Sequence, residues 1–576
     1  MDKILKVNMT DLTVKEEPVP ERYARLGGRA LIARYLLDAG AAEYPAFSPE
    51  NVLLLTAGLL GGTRLTSSGR LSVGGKSPLT GGIKEANSGG TAGAALAKSG
   101  FRAIAVSGKP KDDRPYVLEI DQGKPALFPL PDLKGLQTTE TVEYLKKCYG
   151  DKISVILIGP AGEAKLLGAC VAITDLDGRP TRMSGRGGLG ALMGDKGLKA
   201  VVIKGSGEVE YADAKAFTEK AREFVKKIMA SPITATYTNW GTAAMVDTMN
   251  EMGGLPTRNF RHGRFEKAEA INAYSIKETI ERIGGEGKMV HACMPGCVIR
   301  CSNVFPDEEG NYLVAPLEYE TIGLVGSNCG IGDLFQIARI NRRCNELGLD
   351  TIETGAAIGV AMEAGEIDFG DYEGAMRLLD EVERGTELGK AIGNGAVAVG
   401  KLLGVTRIPA VKNQSLPAYD PRAVKGLGVT FATSTMGADH TAGQTVRANV
   451  DHRSKEGQGK VSENAQLGAP IFDSLGLCLF TGPGLAGELE YLADLLTYRY
   501  STQWTVTDLK RLARETLKAE HEFNRRSGFT SSQNRLPQFF SQEELPETGT
   551  VFDVSEAELD QVVKEISEGD DQSEDL

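Results

Sequence analysis

The chain lacks any run of roughly 20 apolar residues, the length needed to cross a bilayer as a helix. Its opening stretch, MDKILKVNMTDL, is too short and too polar for a secretory leader. No membrane association is expected, and the expected location is the cytoplasm. Cysteine is scarce, with 8 in 576 residues, which argues against a disulfide framework and gives metal or redox meaning to any cysteines that cluster. Positive charge is in deficit, at a formal net charge of -12. That balance disfavours nonspecific binding to nucleic acid or to anionic lipid, and an acidic electron carrier would need a local basic patch. What is present, 41% hydrophobic and 25% charged residues, is the composition of a globular protein with several cores.

The patterning predicts an α+β chain. Residues 1–208 hold short apolar runs bounded by Gly and Pro, among them ILKV, NVLLLTAG, FRAIAVSGK, PYVLEI, ISVILIGPAG and LKAVVIKG, which read as buried strands of a β-rich domain. Helical periodicity begins near residue 212, where Phe217, Ala221, Phe224, Val225 and Ile228 share one face. One helical domain is expected over 209–410 and another over 411–565, followed by an acidic disordered tail at 566–576. IPAVKNQSLPAYDP, at the junction of the helical domains, reads either as a linker or as a buried active-site loop. No internal repeat is evident.

Three glycine-rich stretches, 66–82, 85–93 and 183–194, read as polar loops outside the core. GRGGLG within the last fits the dinucleotide fingerprint, but polar TDLDGRPTRMS precedes it where a Rossmann unit needs a strand. Backbone N–H groups in such loops can still line phosphate. Three loops carrying Arg70 and Arg186 favour a large phosphate-bearing cofactor over plain tight turns.

Cys293, Cys297 and Cys301 gather in HACMPGCVIRCSN, and Cys478 lies far downstream in DSLGLC. Four thiols suit a [4Fe-4S] cluster; zinc is the rival, disfavoured by the absence of paired C-x2-C knuckles and by the remote fourth ligand. Cys148, Cys170, Cys329 and Cys344 stand alone and are expected to be small buried residues.

Several motifs together resemble the aldehyde:ferredoxin oxidoreductase family, tungsten enzymes with a bis-pterin cofactor beside one [4Fe-4S] cluster. GGRALIARYLL, SSGR, KSPLTG, EANSGG and GRGGLGALMGDKGLKAV resemble its N-terminal domain, a β-sheet base under the cofactor. NELGLD (Asn345 to Asp350) and DSLGLC (Asp473 to Cys478) resemble its paired D-x-x-G-L-[CD] elements that contact the two pterins. Asn345 departs from the leading carboxylate. EYET and GADH complete the set. The first cysteine gap is one residue longer than the family's C-x2-C-x3-C, and RINR stands where some members carry an iron-binding E-x-x-H at a dimer interface.

The resemblance implies oxidation of an aldehyde by water to a carboxylic acid, with tungsten, or molybdenum in its place, held by pterin. It assigns Glu320, with Glu318 as competitor, as the carboxylate beside the metal and His440 as donor to the aldehyde oxygen. It assigns cofactor contacts to Arg70, Asn87, Ser88, Gly89, Arg186, Gly187, Gly188, Asn345, Gly348, Leu349, Asp350, Asp473, Gly476 and Leu477, with Asn87 and Gly187 on a magnesium that bridges the pterin phosphates. Cluster ligation falls to Cys293, Cys297, Cys301 and Cys478. His262 lies in a family-like segment near the expected pocket. Implied partners are ferredoxin, or ferredoxin-like and flavin subunits, in a homodimer or a hetero-complex. Members that act on aromatic thioesters, and a non-catalytic electron-transfer subunit, are the alternatives.

Overall fold

The computed structural model describes residues 2–205 and 207–569. Most of the expected acidic tail lies outside them, and the last helix, Glu556–Glu568, runs into its beginning.

Twelve strands occupy the N-terminal part: β1 (Lys3–Asn8), β2 (Thr13–Pro18), β3 (Leu53–Ala57), β4 (Leu71–Lys76), β5 (Ile83–Ser88), β6 (Phe101–Ser107), β7 (Tyr116–Asp121), β8 (Lys124–Pro129), β9 (Ile153–Leu157), β10 (Val171–Ile173), β11 (Arg182–Ser184) and β12 (Leu198–Lys204). Every apolar run named above is one of them. They form two six-stranded sheets, β2-β1-β6-β3-β4-β5 and β8-β7-β12-β9-β10-β11. The second order is the first with six added to each strand. In both sheets the only parallel pair joins first strand to sixth, β1 to β6 and β7 to β12. Helices also recur in place: Gly28–Asp38 and Thr138–Tyr149 follow the second strand of each half, and Ala92–Lys98 and Leu189–Asp195 precede the sixth. The N-terminal part is thus a twofold repeat of topology that the sequence did not reveal. The halves meet where β5 and β11 end, with Ser184 Oγ donating to Ser88 Oγ at 3.2 Å.

The first glycine-rich stretch corrects its reading as loop. Its residues Leu71–Lys76 are β4, buried throughout. A methyl at Gly74 would strike the Ile32 side chain and one at Gly75 would strike Leu192, so glycine here lets two helices press on the strand. The fingerprint GRGGLG likewise follows a short antiparallel strand, β11, and not a parallel Rossmann strand. Cys148 is exposed, in contrast to buried Cys170, Cys329 and Cys344, because it ends a surface helix.

The remaining residues are mostly helical, with a small three-stranded sheet at Lys288–His291, Ser302–Pro306 and Tyr312–Val314. NELGLD and DSLGLC are both helix C-termini. Helix Leu334–Leu347 stops at Gly348 (φ 76°) and helix Gln458–Leu475 at Gly476 (φ 69°), each glycine in the left-handed conformation that a side chain disfavours. The two ends dock on equivalent places in the two halves. After β3, a Cβ on Gly58 would overlap the Gly476 amide; after β9, a Cβ on Gly159 would overlap the Leu347 carbonyl. The amide just before β4, Arg70 N, donates to Gly476 O at 3.1 Å, and the amide just before β10, Cys170 N, donates to Gly348 O at 2.9 Å.

Gly58→Ala and Gly159→Ala should therefore each lower stability by at least about 1–3 kcal/mol, the cost of overpacking where backbone cannot yield. Gly468→Ala, inside helix Gln458–Leu475 with nothing within 4 Å of the added methyl, should instead be neutral or stabilising by about 0.5–1 kcal/mol. Urea unfolding of the three variants beside the unsubstituted chain checks this ordering.

Candidate active site and cysteine centre

The cysteine loop leaves strand Lys288–His291 and returns at Ser302–Pro306, turning through positive φ at Gly296 (73°) and Arg300 (52°). The first sheet pins it. Thr66 Oγ1 donates to Gly296 O at 2.7 Å and accepts from Val298 N at 3.2 Å, while Gly90 N donates to Cys293 O at 2.8 Å. Cys478 arrives from the other segment and donates its amide to Ser67 O at 2.8 Å.

The four thiols sense one another. A hydrogen bond from Cys293, with help from Ser67 and the amides of Arg300 and Ile299, holds Cys297 down to about 5, and the same contact pushes Cys293 up. Burial raises Cys301, as do Glu318, Cys478 and Cys297; burial also raises Cys478, against the pull of Arg70. Protons that are expensive to remove one by one can be displaced together when thiolates bind a cationic centre. Among the described residues no three His, Cys, Asp or Glu side chains converge on a single ion. A cluster that takes one thiolate at each corner is the better match to this spread.

Beside Cys478, Arg70 donates through Nε to Asn87 Oδ1 and through Nη2 to Asn87 O at 2.9 Å. Asn87 Nδ2 donates to Asp473 Oδ1 at 3.0 Å and to Glu85 Oε1 at 3.1 Å. Arg29 joins Asp473 (3.3 Å) to Glu520 (2.7 Å). Ser88 ends β5 against the second half, and a Cβ on Gly89 would lie 3.1 Å from Cys293 Sγ, so the glycine loop and the cysteine loop are in contact. Gly476 and Leu477, between Asp473 and Cys478, therefore sit where the cradle meets the thiols.

The second cradle is built on the other half. Asn345 accepts from Thr138 Oγ1 through its carbonyl at 2.9 Å, and Leu349 bridges to Ala169. Asp350 caps helix Thr351–Glu363, accepting from Ile352 N and Glu353 N at 3.2 Å. Asp350 occupies the place in NELGLD that Cys478 holds in DSLGLC. Arg186 reaches Ala438 O and Ser415 O, both at 2.6 Å, with Asp350 at 3.5 Å. Gly187 accepts from Ser77 Oγ at 2.7 Å, and Gly188 begins helix Leu189–Asp195 at φ 70°. Residues 408–421, linker or buried loop in sequence, are mainly buried and supply part of this wall.

Between the cradles stand Glu320 and His440. His440 Nε2 lies 3.5 Å from Glu320 Oε1, and Ala418 N donates to Glu320 Oε2 at 2.8 Å. Burial raises the Glu320 carboxyl above its usual range, against the pull of His440. Glu318 points elsewhere: it accepts from Thr242 and raises Cys301, so it faces the thiols. The structure thus separates the two competing glutamates. His262, exposed in part, pairs with Glu547 at 3.0 Å.

Sequence reasoning missed Lys84, Asp439, Glu353 and Arg182. Lys84 Nζ meets Asp439 Oδ2 at 2.5 Å; burial alone would raise the Asp439 carboxyl, but Lys84 and then Arg186 outweigh it and hold it well below the carboxylate range. Asp439 adjoins His440 in GADH, and that adjacency was the available signal. Glu320 Oε1, His440 Nδ1, Arg186 Nε and Arg182 Nε are buried without a hydrogen-bond partner. Buried polar atoms are rarely left so, which makes these four candidates to meet a polar or anionic ligand.

Fold and site together set two equivalent helix-end cradles beside four neighbouring cysteines. The chain belongs to the aldehyde ferredoxin oxidoreductase family. Residues 4–205 match "Aldehyde ferredoxin oxidoreductase, N-terminal domain" and residues 219–566 match "Aldehyde ferredoxin oxidoreductase, domains 2 & 3". The tungsten-containing aldehyde ferredoxin oxidoreductase of Pyrococcus horikoshii is 33% identical over 95% of this chain and 92% of that protein. A Pyrococcus furiosus protein, the WOR-like subunit of an aliphatic sulfonate oxidoreductase, is 26% identical over 85% of this chain and 81% of its own. The BamBC active site complex of benzoyl coenzyme A reductase shares the fold, with a TM-score of 0.82, 21% identity and coverage of 99% of this chain and 94% of that one.

Glu85 provides a test of the buried charges. Burial and then Asp473 push its carboxyl from 4.5 up to about 8. The folded chain therefore keeps a proton that the unfolded chain releases across that window, and the associated stability, complete below pH 4.5, is lost as pH rises towards 8. Urea midpoints of Glu85→Gln should fall less between pH 5 and pH 9 than those of the unsubstituted chain; parallel curves would contradict the assignment.

Proposed function

We propose that the protein oxidises aldehydes with water to carboxylic acids, using tungsten, or molybdenum in its place, held by two pterins. The observation that carries this reading is the pair Glu320 and His440, 3.5 Å apart, with Glu320 Oε1 and His440 Nδ1 buried without a hydrogen-bond partner.

The chemistry of the lining supports this reading. Arg70, Asn87, Ser88, Gly89, Asp473, Gly476 and Leu477 would hold one pterin, and Arg186, Gly187, Gly188, Asn345, Gly348, Leu349 and Asp350 the other, with magnesium on the carbonyls of Asn87 and Gly187. Cys293, Cys297, Cys301 and Cys478 would ligate a [4Fe-4S] cluster; Cys293, the ligand of the lengthened gap, meets Cys297 and Gly89 here. When bound, the metal would supply a two-electron acceptor for the aldehyde and the cluster a one-electron exit.

The chain's own work is to position substrate and handle protons. His440 donates a hydrogen bond to the aldehyde oxygen and stabilises the charge that grows there. Glu320, whose carboxyl burial has raised, takes a proton from water and releases it as product leaves. The balance is aldehyde plus water to acid, two protons and two electrons. Ferredoxin, or ferredoxin-like and flavin subunits, would take the electrons.

Viologen-coupled turnover of aliphatic and aromatic aldehydes tests the reading. His440→Ala should retain its metals yet lose about 10²–10³-fold in kcat, the usual cost of removing such a donor. Near-normal turnover in that variant would refute the role. Consumption of an aliphatic sulfonate with no aldehyde oxidised would refute the proposed substrate class.

A further inference from the structure

The chain carries a net charge of -12, yet the exposed rim of the cysteine centre is cationic. Arg300 is exposed within the cysteine loop itself. Arg64 is exposed two residues before Thr66, which bonds the same loop, and its guanidinium lies 5.6 Å from the Tyr211 ring centre. Arg447 is exposed, 4.8 Å over the Tyr237 ring. Tyr237 belongs to helix Pro232–Trp240, which is bound to the loop by Thr238 Oγ1 donating to Ile299 O at 2.7 Å. Among the described residues, no carboxylate lies within the 4.0 Å ion-pair distance of these three arginines.

The centre of this face is apolar. Tyr237 stacks on Phe480 at 4.2 Å, two residues beyond Cys478, and Leu479, Phe480 and Val298 are half-exposed. An apolar centre within an unpaired cationic rim is complementary to an acidic protein surface, and such complementarity chiefly raises association rates.

We infer that the face bearing Arg64, Arg300 and Arg447 docks an acidic one-electron carrier protein over the cysteine centre. The inference rests on the reading of those cysteines as the electron exit. In each encounter the reduced cluster loses one electron and the carrier's oxidised iron–sulfur centre gains it, so two encounters complete each aldehyde oxidised.

The test uses holoenzyme, a small acidic [4Fe-4S] carrier protein, and the variants Arg64→Glu, Arg447→Glu and Arg300→Gln. At low salt, each variant should bind the carrier at least ~10-fold more weakly, with a flatter salt dependence. Viologen-coupled turnover and iron content of Arg64→Glu and Arg447→Glu should remain within twofold. Carrier affinity and salt dependence equal to those of the unsubstituted protein in all three variants would overturn the docking surface. Binding is read without turnover, so a failure of aldehyde oxidation would defeat the functional reading while leaving the docking result decisive.

Discussion

Everything in the site depends on two places where backbone lies directly on backbone. Gly58 against Gly476 and Gly159 against the Leu347–Gly348 turn leave no room for a Cβ, so each helix end is fixed to one half of the N-terminal repeat. From the first contact follow the positions of Asp473 and Cys478; from the second follow Asn345 and Asp350. The repeat makes the cradles equivalent, and the replacement of Asp350 by Cys478 in the corresponding place makes one of them also a wall of the cysteine centre.

Buried charge then fixes what the backbone contacts leave free. Arg29 links Asp473, three residues before the first docking contact, to Glu520 on a distant helix, and Lys84 links β5 to Asp439 beside His440. Ion pairs withdrawn from water cost much of what they gain, so their value here is in register more than in stability. They hold His440 Nε2 3.5 Å from Glu320 Oε1 and leave Glu320 Oε1 and His440 Nδ1 without hydrogen-bond partners, an arrangement that favours a polar guest.

Much of this was legible in the sequence, and the failures have physical causes. Strands with continuous apolar runs, such as β3 and β12, were evident because both faces are buried. β4 was not, since packing between two helices demanded Gly74 and Gly75, and glycine reads as loop. The repeat stayed hidden because equivalent positions do different work: Arg70 precedes β4, and Cys170 precedes β10. Clustering singled out the three loop cysteines as candidates, and the shared motif added Cys478. Glu320 and Glu318 could not be separated by position alone, because two residues along the chain become two different faces only once Thr242 and His440 are placed. Lys84 carries no local signal, being paired with Asp439 across 355 residues.

The account turns on Cys478 serving a cluster that adjoins the pterin. Tungsten and iron content of anaerobically purified protein, measured for the unsubstituted chain and for Cys478→Ser, tests this most directly. The expected result is about one tungsten and about four irons per chain in the former, with iron falling in the variant while tungsten is largely kept. Zinc in place of iron, or iron indifferent to the loss of Cys478, would contradict it.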